Sequence, residues 1–460
     1  MTVADRSKTV AAMVEAATKG RALMGGTAAM RQAGETYLPK FKVEDSADYT
    51  ARLNASWLFN AFKKTVWDMS GRVFQKPVEL SVAPDQLITW AENIDMQGRD
   101  LSTFACEVFK DGFACGVSYI MVDAPRRDEV TTRQAAADQG LRPYLVHLQV
   151  EDILGWKTAT FGNVLALSQI RIMEAITLPD PKDEFNDLDV KQIRVLDRDE
   201  AGVAVRLFRK DKRKEWVVVD EYRTDAKEIT VVPYYARRTG FFTGEPVLED
   251  LADVNIAHWQ SQSDQRNILH FARVPILHTA GRSEDDGPLA ISAGTAIASA
   301  DSSAKVEWVE HSGASVGAGR QDIKDLEFQL ETLGLQLLTQ SAQTATGAAL
   351  DAAKETSGLA MMADSLKDAI EQAMVWMMEY GGLGEQAVTV EINKDYGITM
   401  LTAQEMTALL TAVNTGSLSR ATFLSEMARR GMVRHDLDIE AELDAIDTEA
   451  PELGLTDGAE

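Results

Sequence analysis

The 460-residue chain is 45% hydrophobic, 26% charged and 7% aromatic, which excludes a disordered protein and leaves room for two or more domains with substantial cores. Its formal net charge of −24 argues against a static grip on nucleic acid, which needs basic patches, although acidity is common among cytoplasmic proteins. No apolar run approaches the roughly 20 residues that span a bilayer, and Cys106 and Cys115 are too few for a disulfide framework.

The N-terminal stretch has acidic residues inside its only apolar window and so reads as no secretory signal. The expectation is a protein made and kept in a cytoplasm, with no membrane partner. Residues 1–35, rich in Ala and Met, predict a helix interrupted by Gly25-Gly26. Ser46 is the expected cap of a helix from about Ala47 to Ser70, apolar on a wide face through Leu53, Trp57, Phe59, Phe62, Val66 and Met69. Val78–Val82 reads as extended, Leu87–Cys115 as helices broken near Gly98, and Val117–Val122 and Tyr144–Leu148 as strands. From Leu165 to Tyr235 the runs LALSQIRIMEAIT, QIRVLDRD, AVRLFRK, EWVVVDEYR and EITVVPYY alternate between charged turns and predict an antiparallel meander. The acidic segment Leu178–Asp189 reads as an exposed loop.

The stretch from Pro246 to Tyr380 predicts three helices. Pro246, with Glu249 and Asp250 behind it, suits a helix start, and the helix must stop before Pro275. One face of it carries Leu248, Leu251, Asn255, His258 and Gln262, so its apolar stripe is short and its lower half polar. Val274–His278 is a strand candidate. The return helix, starting after Gly319, repeats Ile323, Leu326, Leu330, Leu333 and Leu337 at spacings of three and four, a seam for a neighbouring helix. At 1.5 Å per residue it would be roughly 30 Å long. Ser341–Gly358 is almost all small or polar and reads as a loop. The third helix, Leu359–Tyr380, stops at Gly381-Gly382. A strand at Ala387–Ile392 follows. Thr402 with Glu405 then forms a capping box for Ala403–Asn414, and two further helices end before a frayed tail.

This order of strand, helix, small β-containing module, helix, small-residue segment and long helix resembles the portal protein family of tailed bacteriophages. The run ITVVPYYARR before the first of these helices fits as well. So does the layout YLP, Tyr49, Arg52, Phe59-Asn60, Val66, Gly71, Phe74 and Lys76-Pro77 near the N-terminus. The resemblance implies an α+β portal fold. Residues 1–245 would hold N-terminal helices and a β-rich wing, 246–272 the first stem helix, 273–319 the clip and 320–340 the second stem helix. A tunnel loop at 341–358, a long wing helix and strand at 359–400 and a helical crown at 401–460 would complete it. It further implies a non-enzymatic ring of twelve copies at one capsid vertex of a virion, assembled in a bacterial host. Its partners would be the major capsid protein and scaffold, the terminase large subunit, a head-completion or adaptor protein, and double-stranded DNA passing through. Thr344, Thr346, Lys354 and Glu355 would then lie on a loop lining the channel, and Trp308 in the clip would serve as an interface anchor or a core residue.

Other chemistry is sparse. The chain has no G-x-x-x-x-G-K-[ST], no H-E-x-x-H and no C-x-x-C, so no nucleotide-hydrolysis, metal or cofactor site is expected. His147, His258, His270, His278, His311 and His435 are scattered. One match, Gly313-Ala314-Ser315-Val316-Gly317, fits the nucleophile-elbow pattern after a strand candidate. Against a serine hydrolase stand the missing βαβ alternation and the lone downstream His435, and a flexible connector is the simpler reading. Acidic pairs such as Asp322/Asp325 suit a solvated helix face, and the methionines near 361–378 suit adaptable packing.

Overall fold

The computed structural model describes residues 2–125, 141–224, 226–273, 276–281, 303, 305–309, 314–335, 345–384, 386–394, 403–429, 432–434 and 437–449. The chain divides into two compact units, residues 1–394 and 395–460.

In the first unit, α1 (Lys8–Ala33) is capped by Ser7, whose hydroxyl accepts from Val10 N at 3.3 Å. The expected interruption is a kink at Gly26, where φ is +73°, inside one continuous helix. The single helix expected over 47–70 is instead two, α2 (Ser46–Ala55) and α3 (Ala61–Val73). Asp45 caps the first, accepting from Ala47 N and Asp48 N. Asn60 caps the second, accepting from Lys63 N at 2.9 Å. Trp57 and Phe59 fall in the break and stay partly exposed. The helices α4 (Asp85–Ala91) and α5 (Leu101–Cys115) follow β1 (Glu79–Val82). Phe104, Val108 and Phe109 of α5 are fully buried.

Two sheets lie beyond. A three-stranded antiparallel sheet has the order β3-β2-β9, from β2 (Val117–Asp123), β3 (Tyr144–Leu148) and β9 (Val231–Tyr235). A five-stranded meander comprises β4 (Ile153–Phe161), β5 (Val164–Pro179), β6 (Asp187–Asp199), β7 (Gly202–Lys210) and β8 (Trp216–Thr224). The run EITVVPYY therefore does not extend the meander. It pairs with β2, where Tyr234 stacks on Phe109 at 5.7 Å, and Pro233 is tolerated because β9 is an edge strand. Nor is Leu178–Asp189 a loop throughout. The β5–β6 ladder runs to Pro179↔Asp187, because its alternation continues past the acidic residues. Leu154, Ile193 and Val195 form the sheet's core, with Val3 and Ala4 packed against them.

A small pair, β10 (Arg238–Gly240) and β11 (Thr243–Gly244), leads to the helical part. There α6 (Glu249–Ala272) runs out, β12 (Ile276–Ala280) pairs antiparallel with β13 (Lys305–Val309), and α7 (Ala314–Leu330) returns into a π-turn at Glu331–Leu335. Then α8 (Ala345–Gly381) crosses the unit, and β14 (Thr389–Glu391) pairs with β1. Two sequence readings change. The return helix starts at Ala314, not after Gly319, and the segment read as a loop over 341–358 is helical from Ala345 on. The segment is rich in alanine, the strongest helix former, and that propensity decides the backbone. Met374, Met377 and Met378 are buried on α8, while Met361 is exposed.

The second unit holds α9 (Ala403–Asn414), α10 (Arg420–Arg429) and α11 (Ile439–Glu449), close to the expected spans. Ser419 and Asp438 cap the last two. Thr402 of the expected capping box lies outside the described residues. No described helix is long and apolar enough to cross a membrane.

Candidate functional site: a helical hairpin tipped by a two-stranded sheet

The hairpin is anchored through polar groups on α6. Asn255, fully buried, accepts from Phe62 N at 3.0 Å and donates to Phe59 O at 2.8 Å. Its amide thus satisfies the Phe62 N–H that the start of α3 leaves unpaired and adds a second donor to the Phe59 carbonyl, which Ala61 N also reaches at 3.1 Å. Further along, Gln260 donates to Tyr37 O at 3.0 Å and Arg266 to Ala55 O at 3.2 Å. Arg52, almost fully buried on α2, reaches Ser263 at 3.4 Å and Asp264 at 3.5 Å while Glu44 neutralises it at 2.7 Å. These contacts fix one side of α6 to the N-terminal helices.

The other side meets α7 across a seam that is largely polar. Ser261 donates to the Asp322 carboxylate. Gln265 donates to Val316 O at 3.0 Å. His258, fully buried, has Nε2 3.6 Å from the Glu327 carboxylate. Burial pulls the His258 pKa below its ordinary value, and Glu327 offsets only part of that. Two glycines let the helices approach. A Cβ at Gly319 would overlap Gln265 Oε1, and one at Gly334 would lie 2.8 Å from Thr65 Oγ1 and 2.9 Å from a Leu251 methyl.

The structure brings only part of the expected leucine seam together. Ile323 and Leu326 are half-buried and Leu330 is fully buried. Leu333 is 39% exposed, because the π-turn adds a residue and rotates it off the seam, leaving Gly334 in the inward position. Leu337 lies outside the described residues. Phe328, 66% exposed, adds an apolar side chain to the outer face of α7.

At the tip, Trp308 pairs across the strands with Leu277 and is 56% exposed, so it is no core residue of this chain. His278 and Glu307 face each other at 3.6 Å. Ser315 falls in the first turn of α7, behind an antiparallel pair of strands. A nucleophile elbow instead projects its serine from the strand-to-helix turn of an α/β-hydrolase sheet. Thr346, Lys354 and Glu355 belong to the first turns of α8, and Thr344 lies outside the described residues.

A buried polar cluster behind α1 escaped the sequence reading, since its members are far apart in the chain. Arg21 binds Asp111 at 2.6 Å and Glu151 at 2.8 Å, and His147 Nε2 lies 2.7 Å from Ser118 Oγ and 3.5 Å from Asp111. Burial pushes the Asp111 carboxyl up, but the His147 contact and the Arg21 charge more than offset it and hold it below the usual range. Both His147 contacts use the same ring nitrogen, unlike a serine–histidine–carboxylate relay, and Ser118 is fully buried. The cluster ties α1, α5 and the sheet together. No group of histidine, cysteine and carboxylate side chains able to hold a metal ion occurs among the described residues.

Residues 247–381 match the profile of a family described as Domain of unknown function (DUF4055). The match begins just before α6 and ends on the last residue of α8, so it delimits the hairpin, its tip and the long helix. No curated protein matches the chain. Three solved structures with similar chains are particles of a gene transfer agent. One is the neck of an empty particle computed with C6 symmetry, at 10% identity and a TM-score of 0.39, covering 81% of this chain and 89% of that one. A chain of the native virion matches at 9% identity and a TM-score of 0.39, covering 90% of this chain and 99% of that one. A chain of the native neck, computed with C12 symmetry, matches at 10% identity and a TM-score of 0.38, covering 78% and 86%. Similarity this distant identifies neither an activity nor a partner.

Proposed function

We infer that this chain is a ring-forming structural protein of the head–tail junction of a phage-like particle, and within that class a portal. The observation that carries the reading is the order of elements along one chain. A meander sheet is followed by a hairpin of two helices tipped by a two-stranded sheet, and then by a helix of 37 residues that begins in an alanine-rich segment.

In this reading α6 and α7 of neighbouring copies pack around an axial bore. The N-terminal helices already cover one side of α6, so Phe328 and Leu333 on the outer face of α7 supply the apolar contacts for the next copy. The strands β12 and β13 present Trp308 to the terminase during packaging and to head-completion proteins afterwards. The capsid protein and scaffold surround the ring, which stays in the virion at one vertex. The start of α8, with Thr346, Lys354 and Glu355, faces the narrowest part of the channel. The acidic surface keeps double-stranded DNA from adhering as it passes, since like charges repel it at every register. No bond is made or broken by the chain itself. Negative-stain images of the purified protein test the reading, which predicts closed rings with a central hole; a stable closed dimer without one contradicts it.

A further inference from the structure

The hairpin β5–β6 outgrows its own sheet. The last β4 pair is Ile153↔Ile172 and the last β7 pair is Gln192↔Arg209, so the ladder from Ala175↔Lys191 to Pro179↔Asp187 has no strand on either side. That free arm is about 15 Å long before its turn. A two-stranded ribbon alone is marginally stable in water, yet this one is braced. Asp180 accepts from Lys182 N at 2.9 Å and from the Asn186 side chain at 3.3 Å, Asp183 from Phe185 N at 3.0 Å, and Asp189 from Thr177 at 3.3 Å. The braced tip holds Phe185 92% exposed. Residues 180–189 carry five carboxylates against one lysine, and Glu184 and Asp187 have no ion pair among the described residues.

The same end of the sheet carries the opposite chemistry. The β7–β8 turn reads Lys210-Asp211-Lys212-Arg213-Lys214, and Lys212, Arg213 and Lys214 are exposed with no ion pair among the described residues. Next to it, on the edge strand β8, a register shift opposite Leu207/Phe208 leaves Val217, Val218 and Val219 all partly exposed. Acid and an exposed ring stand on one hairpin, base and an exposed valine row on another.

We propose that the β5–β6 arm of one copy docks on the β7–β8 turn and the β8 edge of the next copy, seating Phe185 against the exposed Val218. The inference rests on the ring reading and names the contact that closes the ring. Charge complementarity selects the occupant: in a chain of net charge −24, two copies repel unless a basic patch meets an acidic one. Because the two halves are different surfaces of one chain, the contact can repeat head-to-tail around a ring, and the ring reading selects that arrangement over a reciprocal dimer.

The test changes the charge of each half separately in the full chain. Glu184→Lys with Asp187→Lys leaves three carboxylates against three lysines on the arm and so removes its charge complementarity to the basic turn, and Lys212→Glu with Arg213→Glu makes both halves acidic. Neither set removes a hydrogen bond named above, so circular dichroism and melting temperature should match the wild type. Each variant alone should need a concentration about tenfold higher or more to assemble, and an equimolar mixture of the two should assemble more readily than either alone. Wild-type rings with charge variants that assemble equally well overturn the contact and leave the ring reading standing. A wild-type chain that closes as a dimer overturns both. A wild-type chain that does not self-associate at any concentration overturns the contact and makes ring formation dependent on capsid partners.

Discussion

His258 Nε2 lies 3.6 Å from the Glu327 carboxylate, across the seam that joins α6 to α7, with the imidazole fully buried. Burial lowers its pKa from the ordinary 6.5, and the nearby Glu327 and Asp322 carboxylates recover only part of the loss. Below about pH 6.5 the unfolded chain takes up a proton that the folded chain refuses. The seam is therefore fully stable above that pH and loses stability as pH falls towards the lowered folded value. Thermal melts between pH 7.5 and 5 should show a steeper fall for the wild type than for His258→Gln, whatever the variant's starting stability. Parallel curves would remove His258 from the account.

Gly319 and Gly334 should respond differently to alanine. The added methyl at Gly319 meets the end of a flexible glutamine, which can swing aside, and alanine favours the helix. At Gly334 it meets Thr65 and Leu251, both buried to within 1% of full coverage. Gly319→Ala should change stability by less than about 0.5 kcal/mol, whereas Gly334→Ala should cost about 1–3 kcal/mol through overpacking. Urea midpoints of the two variants check the contrast.

Asn255→Ala should be costly for a different reason. It strands the buried Phe62 N, whose partner is the Asn255 side chain, and removes one of two donors from the Phe59 carbonyl, which keeps Ala61 N at 3.1 Å. A loss of about 1–3 kcal/mol is expected. Hydrogen exchange should rise first at residues 59–62.

Trp308→Ala should leave the fold unchanged, because the ring is 56% exposed on β13. Melting temperature should stay within the scatter of the wild type. Binding to a terminase or head-completion partner should weaken on the order of tenfold or more if Trp308 anchors that surface. Unchanged binding would move the anchor elsewhere.

Much of this architecture was legible in the sequence, and what was not has physical reasons. Helices with long-period apolar faces, α5 and α8 beyond Leu359, and strands with clean alternation, β5 to β8, are local signals. The break between α2 and α3 is held by Asn255, nearly two hundred residues away, and no local pattern reports it. The pairing of β9 with β2 is likewise a long-range choice. Along the leucine repeat Leu330 is fully buried, after which the π-turn shifts the phase and a glycine, not Leu333, faces inward. At the start of α8 weak hydrophobicity and high helix propensity point opposite ways, and the alanine propensity prevails. The polarity of the α6 stripe was visible in Asn255, His258 and Gln262, but its partners Phe62, Phe59 and Glu327 were not. The exposure of the acidic segment after Leu178 shows in its composition, whereas the strand pair it closes depends on cross-strand partners that no local pattern reports.

The native mass of the purified full chain tests the central claim most directly. A ring reading predicts one dominant species near twelve times 50.5 kDa, with a central hole in images of the same sample. A stable closed dimer near twice that chain mass, with no channel, would contradict it.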